Sequence, residues 1–275
     1  LGILVFSLLL SWNGYSIEIN SSTTTPITND DVTIASSGSI TTDSNPSISV
    51  SNSVNNGKTI DNAGTITTSG FRNQGIWFYL SGSHDVTNSG TISTSGERAQ
   101  AIRLTTNSDN NTVTNSGTLS TTGDEADGAK FYLGDTNTFT SNSTGTITTS
   151  GDDAHGIDIE GSSNNTITNQ GSIISTGTAS HGINMINGTD FDETQTINNT
   201  ITNSGSINVS GSGSNGISIN VDNNTITNSG NITNSGSSSI GINLLGDSNT
   251  LCHTGTITNS GTNSIGLSIT GSNNT

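Results

Sequence analysis

Asp127, His155 and His181 occupy one position in successive repeats of a 275-residue chain. Two imidazoles and a carboxylate brought together are a workable ligand set for a divalent cation. All three stand in the fourth place of a four-residue turn that recurs from Gly70 onward, a place that Gln74, Gln100 and Asn215 fill in other copies. The first place of that turn holds Glu97, Asp124 and Asp152, and the second holds Arg72, Arg98, Glu125 and Asp153. With copies stacked about one strand spacing apart, Arg98 should pair with Glu125 while Asp124 and Asp152 should repel. Such a turn is expected to be a solvated edge whose exposed ion pairs contribute about 0–1 kcal/mol each. Three ligands on a mobile turn, with no second layer of hydrogen bonds to orient them, make a poor metal site. The expectation is no bound metal and no cofactor.

Other residue types invite sharper chemistry. Glycoside hydrolysis needs paired carboxylates, and Asp30-Asp31, Asp124-Glu125 and Asp152-Asp153 are pairs. They fall in turns of near-identical repeats, whereas an active site breaks a repeat. No H-E-x-x-H, G-x-S-x-G or Walker-type loop occurs. Asp109 and Asp135 share one repeat position, as do Asp222 and Asp247; these are expected to solvate loops rather than to hold calcium. Trp77, Phe78 and Tyr79 adjoin one another, and Phe131 and Tyr132 take nearly the same place two coils on. The inward member of each set should fill the core, and exposed members could stack on sugar rings. Outward threonines form a flat two-column array: Thr112 and Thr114, Thr138 and Thr140, Thr166 and Thr168, Thr200 and Thr202, Thr225 and Thr227, interrupted by Cys252.

The elements that carry these residues follow from composition. Isoleucine, at 32, outnumbers leucine, at 13, which favours strand over helix. Only 9% of residues are charged, yet the net charge is −16. The five cations are Lys58, Arg72, Arg98, Arg103 and Lys130. Nucleic acid and anionic membrane surfaces both need cations to neutralise phosphate, so neither is an expected partner. A single cysteine excludes a disulfide framework.

Self-similarity supplies the architecture. A glycine followed by Thr, Ser or Asn and then Ile or Leu recurs nine times, at Gly38, Gly64, Gly90, Gly117, Gly145, Gly171, Gly205, Gly230 and Gly255. The gaps lie between 25 and 28 residues except for one of 34, where Thr189–Thr196 reads as an inserted loop. Each copy holds three short pieces with alternating apolar residues, such as Thr146-Ile147-Thr148, Gly156-Ile157-Asp158-Ile159 and Asn165-Thr166-Ile167-Thr168-Asn169. Three such strands cannot close a core alone, but stacked copies can. Stacking pairs the strands in parallel, and parallel crossovers are right-handed. The fold is therefore expected to be all-β, a right-handed parallel β-helix of about nine coils of about 26 residues, roughly 40 Å long. An asparagine column (Asn62, Asn88, Asn115, Asn169, Asn203 and Asn228) lies two residues before the anchor glycine, with Asn142 slipped by one and His253 in the last copy. Stacked amides of this kind hydrogen-bond coil to coil.

The pattern Asn-Ser-Gly-Thr-Ile…Ser-Gly…Gly-Ile…Asn-Thr-Ile-Thr, behind an apolar start, resembles the passenger repeats of bacterial autotransporters and related surface adhesins. The resemblance covers about residues 38–275. It implies a C-terminal outer-membrane barrel in the full-length protein and export through it unfolded, which fits the scarcity of cysteine. Leu1–Leu10 has the length of a signal-peptide h-region, too short for a membrane span. The division expected is a truncated signal peptide at 1–16, a cap or lead-in at 17–37, and repeats at 38–275, the chain being a fragment cut at both ends. The functional expectation is a secreted, cell-surface stalk or adhesin segment, a monomer, binding a host-cell, glycan or surface ligand and carrying out no catalysis. Polysaccharide lyases and hydrolases also use parallel β-helices and are the alternative; an ice-binding solenoid, suggested by the threonine array, is the third.

Overall fold

The computed structural model describes residues 16–188 and 195–275. The apolar start at 1–15 and Thr189–Thr194 of the inserted loop lie outside the described residues. One rung of the molecule is Thr112–Asn115, Thr118–Thr121 and Ala129–Tyr132, three four-residue strands joined by two turns. Each strand pairs in parallel with its counterpart in the rungs before and after. The result is three parallel sheets of ten strands each. Nine rungs follow the anchor glycines. The tenth comes from Ile17–Ile19, Ser22–Thr23 and Ile27–Thr28, which lead the three sheets. The strands within 17–37 thus pair into the same three sheets. Among the described residues the only helical turn is Ser53–Asn55.

The anchor glycines are required by close approach. A Cβ on Gly90 would lie 2.1 Å from the Gly64 carbonyl oxygen, and one on Gly117 would lie 2.1 Å from that of Gly90. Any side chain at these corners would force the rungs apart.

Inward residues form ladders. Val113, Phe139, Ile167, Ile201 and Ile226 stack in register and are fully buried. Little hydrophobicity suffices because every rung shares its apolar residues with two neighbours. Volume is balanced between adjacent rungs: where the third sheet carries the small Ala129, Phe131 beside it meets Phe139 of the following strand edge-on at 6.3 Å. Of the two aromatic sets, Phe78 and Phe131 point inward, while Trp77, Tyr79 and Tyr132 point outward.

The asparagine column is a chain of amide hydrogen bonds. Asn62 Nδ2 donates to Asn88 Oδ1 at 2.7 Å, Asn88 to Asn115 at 2.8 Å, Asn169 to Asn203 at 2.7 Å and Asn203 to Asn228 at 2.6 Å. Asn228 Nδ2 then meets His253 Nδ1 at 3.0 Å. The chain breaks once. Ser141 takes the place between Asn115 and Asn169, and the slipped Asn142 turns to Ser116 Oγ instead. Asn115 Nδ2, Ser141 Oγ and Asn169 Oδ1 are left buried without hydrogen-bond partners. A Ser141→Asn substitution should bridge the gap and raise stability by about 1–2 kcal/mol. Thermal melting checks this; a melting temperature unchanged or lowered by Ser141→Asn would refute the ladder as a stabilising element.

A second amide column, not anticipated, runs along the start of the first sheet. Asn111 N–H donates to Asn137 Oδ1 at 2.9 Å, Asn137 N–H to Asn165 at 2.8 Å and Asn165 N–H to Asn199 at 2.8 Å. The turns after the second sheet are tied down from inside. Thr68 Oγ1 donates to the Asn73 carbonyl at 2.6 Å and Thr121 Oγ1 to that of Ala126 at 2.5 Å. These buried hydroxyls fix the turn that carries the chemistry-bearing columns.

A charged groove along the third sheet

The turn column that contains Asp127, His155 and His181 is not a solvated edge. Asp127 and His155 are buried, and His181 is half-buried. The correction has a backbone cause. Asp127 Oδ1 accepts the His155 N–H at 2.8 Å, His155 Nδ1 accepts the His181 N–H at 3.0 Å, and His181 Nδ1 accepts the Asn215 N–H at 2.9 Å. Asn215 Oδ1 continues the series to the Ile240 N–H at 2.9 Å. Asp, Asn and His share an acceptor at the same distance from Cα, and here each satisfies the donor of the following rung. The two imidazoles stack face to face at 4.9 Å. Both Nδ1 atoms are occupied, so a cation could reach these rings only through Nε2. Among the described residues no group of three or more His, Cys, Asp or Glu is arranged to hold a metal ion.

The neighbouring first column behaves similarly. Asp124 and Asp152 were expected to repel, but Asp124 Oδ1 accepts the Asp152 N–H at 2.9 Å and Asp152 Oδ1 accepts the Thr178 N–H at 2.8 Å. A backbone donor lies between successive carboxylates. Arg98 pairs with Glu125 at 2.8 Å, as its register requires.

Beside the turn, the outward face of the third sheet concentrates charge that the sequence reading passed over. Arg103, Lys130, Asp158 and Asn184 are consecutive in one register column, and Thr105, Tyr132, Glu160 and Ile186 in the other. Lys130 Nζ lies 2.6 Å from Asp158, 2.9 Å from Glu160 and 3.8 Å from Asp127. Asn184 Nδ2 donates to the second oxygen of Asp158 at 2.9 Å. Asp127 and Asp158 are each 2% exposed and Glu160 is 6% exposed. Burial raises the Asp127 carboxyl well above the ordinary range, and the pull of Lys130 does not cancel this. Burial opposes ionisation of Asp158 too, but Lys130 and His155 outweigh it and hold that carboxyl below its usual value. Lys130 in turn is held above the ordinary lysine range, burial being overcome by Asp158, Asp127 and Glu160.

Together these residues line a groove of about 750 Å³ that runs along the rod from Arg72 and Arg98 to Asn220 and Leu245. Its rim is Arg72, Arg98, Glu125, Asp153 and Ala179, the second turn column, and all five have φ between 53° and 57°. Left-handed backbone of this kind favours glycine or asparagine, and later rungs place Gly213 and Asn263 there. The same conformation recurs at Ser238 in this place, so it belongs to the repeating turn rather than to the charged residues.

The family model described as BigA third pectate lyase-like domain matches residues 13–271. The chain belongs to this family. No curated protein and no solved structure matches it.

In this BigA-type domain the remaining candidate residues lie apart from the groove or play structural parts. Asp109 Oδ1 accepts the Asp135 N–H at 2.7 Å and Asp222 Oδ1 accepts the Asp247 N–H at 2.7 Å, so both pairs cap the next rung. The threonine columns are in register on the first sheet from Thr112 to Thr225, and Thr227 is followed by the exposed thiol of Cys252. Trp77 and Tyr79 stack at 5.6 Å on the third sheet, ahead of the charged columns.

Proposed function

We propose that this domain is a surface-displayed, autotransporter-type adhesin segment that binds a glycan in the groove without cleaving it. The family name supports a β-helical domain with a bacterial surface-protein relation, and an open groove along a rigid rod suits an extended ligand. The observation that carries the non-catalytic reading is the engagement of the floor carboxylates. Asp158 has both oxygens bonded, Glu160 is paired to Lys130, and Asp127 accepts a backbone donor. A glycosidase needs one carboxylate free to attack or to activate water. Here the candidates sit beneath the surface, gathered around one ammonium.

Cleavage is the second reading, favoured by the raised Asp127 carboxyl beside the ionised Asp158, an acid–base contrast of the kind glycosidases use. One experiment separates the two. Purified domain should bind host-cell or polysaccharide surfaces saturably, and prolonged incubation with bound polysaccharide should release no new reducing ends or unsaturated sugars. Release that is lost in Asp127→Asn would establish the enzyme instead. Display is tested independently: protease treatment of intact cells producing the full-length protein should remove the domain.

A further inference from the structure

The charge layout of the groove specifies more than a generic glycan. Four of the chain's five cations, Arg72, Arg98, Arg103 and Lys130, line it, leaving only Lys58 elsewhere. Lys130 is spent on three carboxylates, and Arg98 on Glu125 and Glu97. Arg103 has no ion-pair partner among the described residues, and its buried Nε has no hydrogen-bond partner. Its register neighbours are Trp77 on one side and Lys130 on the other, so no anion stands beside it in its column. Burial, with Arg72 assisting, lowers its pKa despite the opposing pull of Asp127, Tyr132 and Glu160. Arg72 itself makes no ion pair among the described residues and is held on the rim over the Phe71 ring at 5.2 Å. A half-buried guanidinium with an unsatisfied Nε and no direct carboxylate contact among the described residues is a ready site for a charge-assisted pair with an anion. The Tyr132 ring centre lies 5.7 Å from the Arg103 guanidinium carbon.

Along the groove the sign reverses. Glu125, Asp127, Asp153, Asp158 and Glu160 follow within two rungs. A uniformly anionic polymer laid along the rod would meet these carboxylates and be repelled. Beyond them Asn184, Ser218 and Asn220 offer neutral hydrogen-bonding groups suited to hydroxyls.

We propose that the arginine end of the groove, with Arg103 as the anchor and Arg72 beside it, binds the single carboxylate or sulfate of a glycan whose remaining sugars are neutral. This rests on the groove being a glycan site. Titration calorimetry with four probes tests it: 3′-sialyllactose, lactose 3′-sulfate, lactose and a galacturonate hexamer. At least one singly charged probe should bind at least about tenfold more tightly than lactose, and the better of the two identifies carboxylate or sulfate. Arg103→Gln should cut that affinity at least about tenfold without moving the melting temperature, Arg103→Lys should restore part of it, and Lys58→Gln should leave it unchanged. Equal binding of lactose and the charged probes, unaltered by Arg103→Gln, would overturn the anchor and leave the glycan-binding reading standing. Tightest binding of the hexamer would overturn it as well, since the acidic floor would then not discriminate. Failure of all four probes also overturns it, and the cell-binding assay then decides the broader reading alone.

Discussion

Lys130→Met should destabilise the domain by about 3–5 kcal/mol at pH 7, the usual cost of stripping one partner from a buried charge cluster. The ammonium contacts Asp158 and Glu160 directly and stands 3.8 Å from Asp127, its side chain only 16% exposed. Methionine fills the same volume and removes the charge, leaving carboxylates in a poorly solvated floor. Without Lys130 the folded-state carboxyls would titrate above their unfolded values. Their penalty is then largest above those raised values and is relieved as pH falls through them. The variant should accordingly regain on wild type between pH 7 and pH 5, and Lys130→Arg should retain most of the stability. Denaturant unfolding at the two pH values checks this. A Lys130→Met midpoint equal to wild type at pH 7 would show that the cluster contributes nothing net.

Acid should weaken the fold through the opposite kind of group. His84 Nδ1 accepts the Lys58 N–H at 2.9 Å, and His181 Nδ1 accepts the Asn215 N–H at 2.9 Å. A backbone amide cannot accept a proton in return, so both rings must be neutral with the proton on Nε2. Burial pushes the His84 imidazole down to about 4, with Lys58 assisting against Asp31 and Asp85, and burial with His155 pushes His181 down to about 3. Unfolded histidine binds its proton near pH 6.5. Stability from each is therefore complete above pH 6.5 and lost as pH falls towards 4 and 3. The loss amounts to about 2 kcal/mol per histidine by pH 5. Asp127, whose carboxyl is raised, works in reverse and recovers some stability over the same range. Comparison with a His84→Asn, His181→Asn double variant isolates the histidines, because asparagine supplies the same acceptor and does not titrate. Relative to its own value at pH 7, the variant should retain about 4 kcal/mol more than wild type at pH 5. Parallel pH profiles would sink the assignment.

Much of this architecture could be read from residue spacing alone. The glycine anchors, the two-residue alternation and the amide column each demand the same register, and three independent signals that agree leave little freedom. The slip at Asn142 was visible as one residue too many before Gly145, and it marks the one break in that amide chain. The groove was hidden for a physical reason. Arg103, Lys130, Asp158 and Glu160 each resemble an ordinary outward strand residue, and only a register of 27 or 28 residues per rung brings them together. The turn column was misjudged because polar identity suggested solvent. What mattered was the position of the acceptor atom, common to Asp127, His155, His181 and Asn215, which seals backbone donors that would otherwise be exposed. The aromatic sets divided as alternation requires, Phe78 and Phe131 inward and Tyr79 and Tyr132 outward.

A stack in which each rung touches only its neighbours also determines how the molecule yields to tension. A pull on the two ends of the chain loads the outermost rung first, and its three strands peel before the next rung bears force. Each release of about 26 residues frees roughly 90 Å of contour length. Extension would therefore proceed as a series of near-equal steps, with one longer step of roughly 115 Å at the 34-residue repeat. Such a chain lengthens several-fold under load while its remaining coils stay folded, dissipating work at each step instead of failing at once.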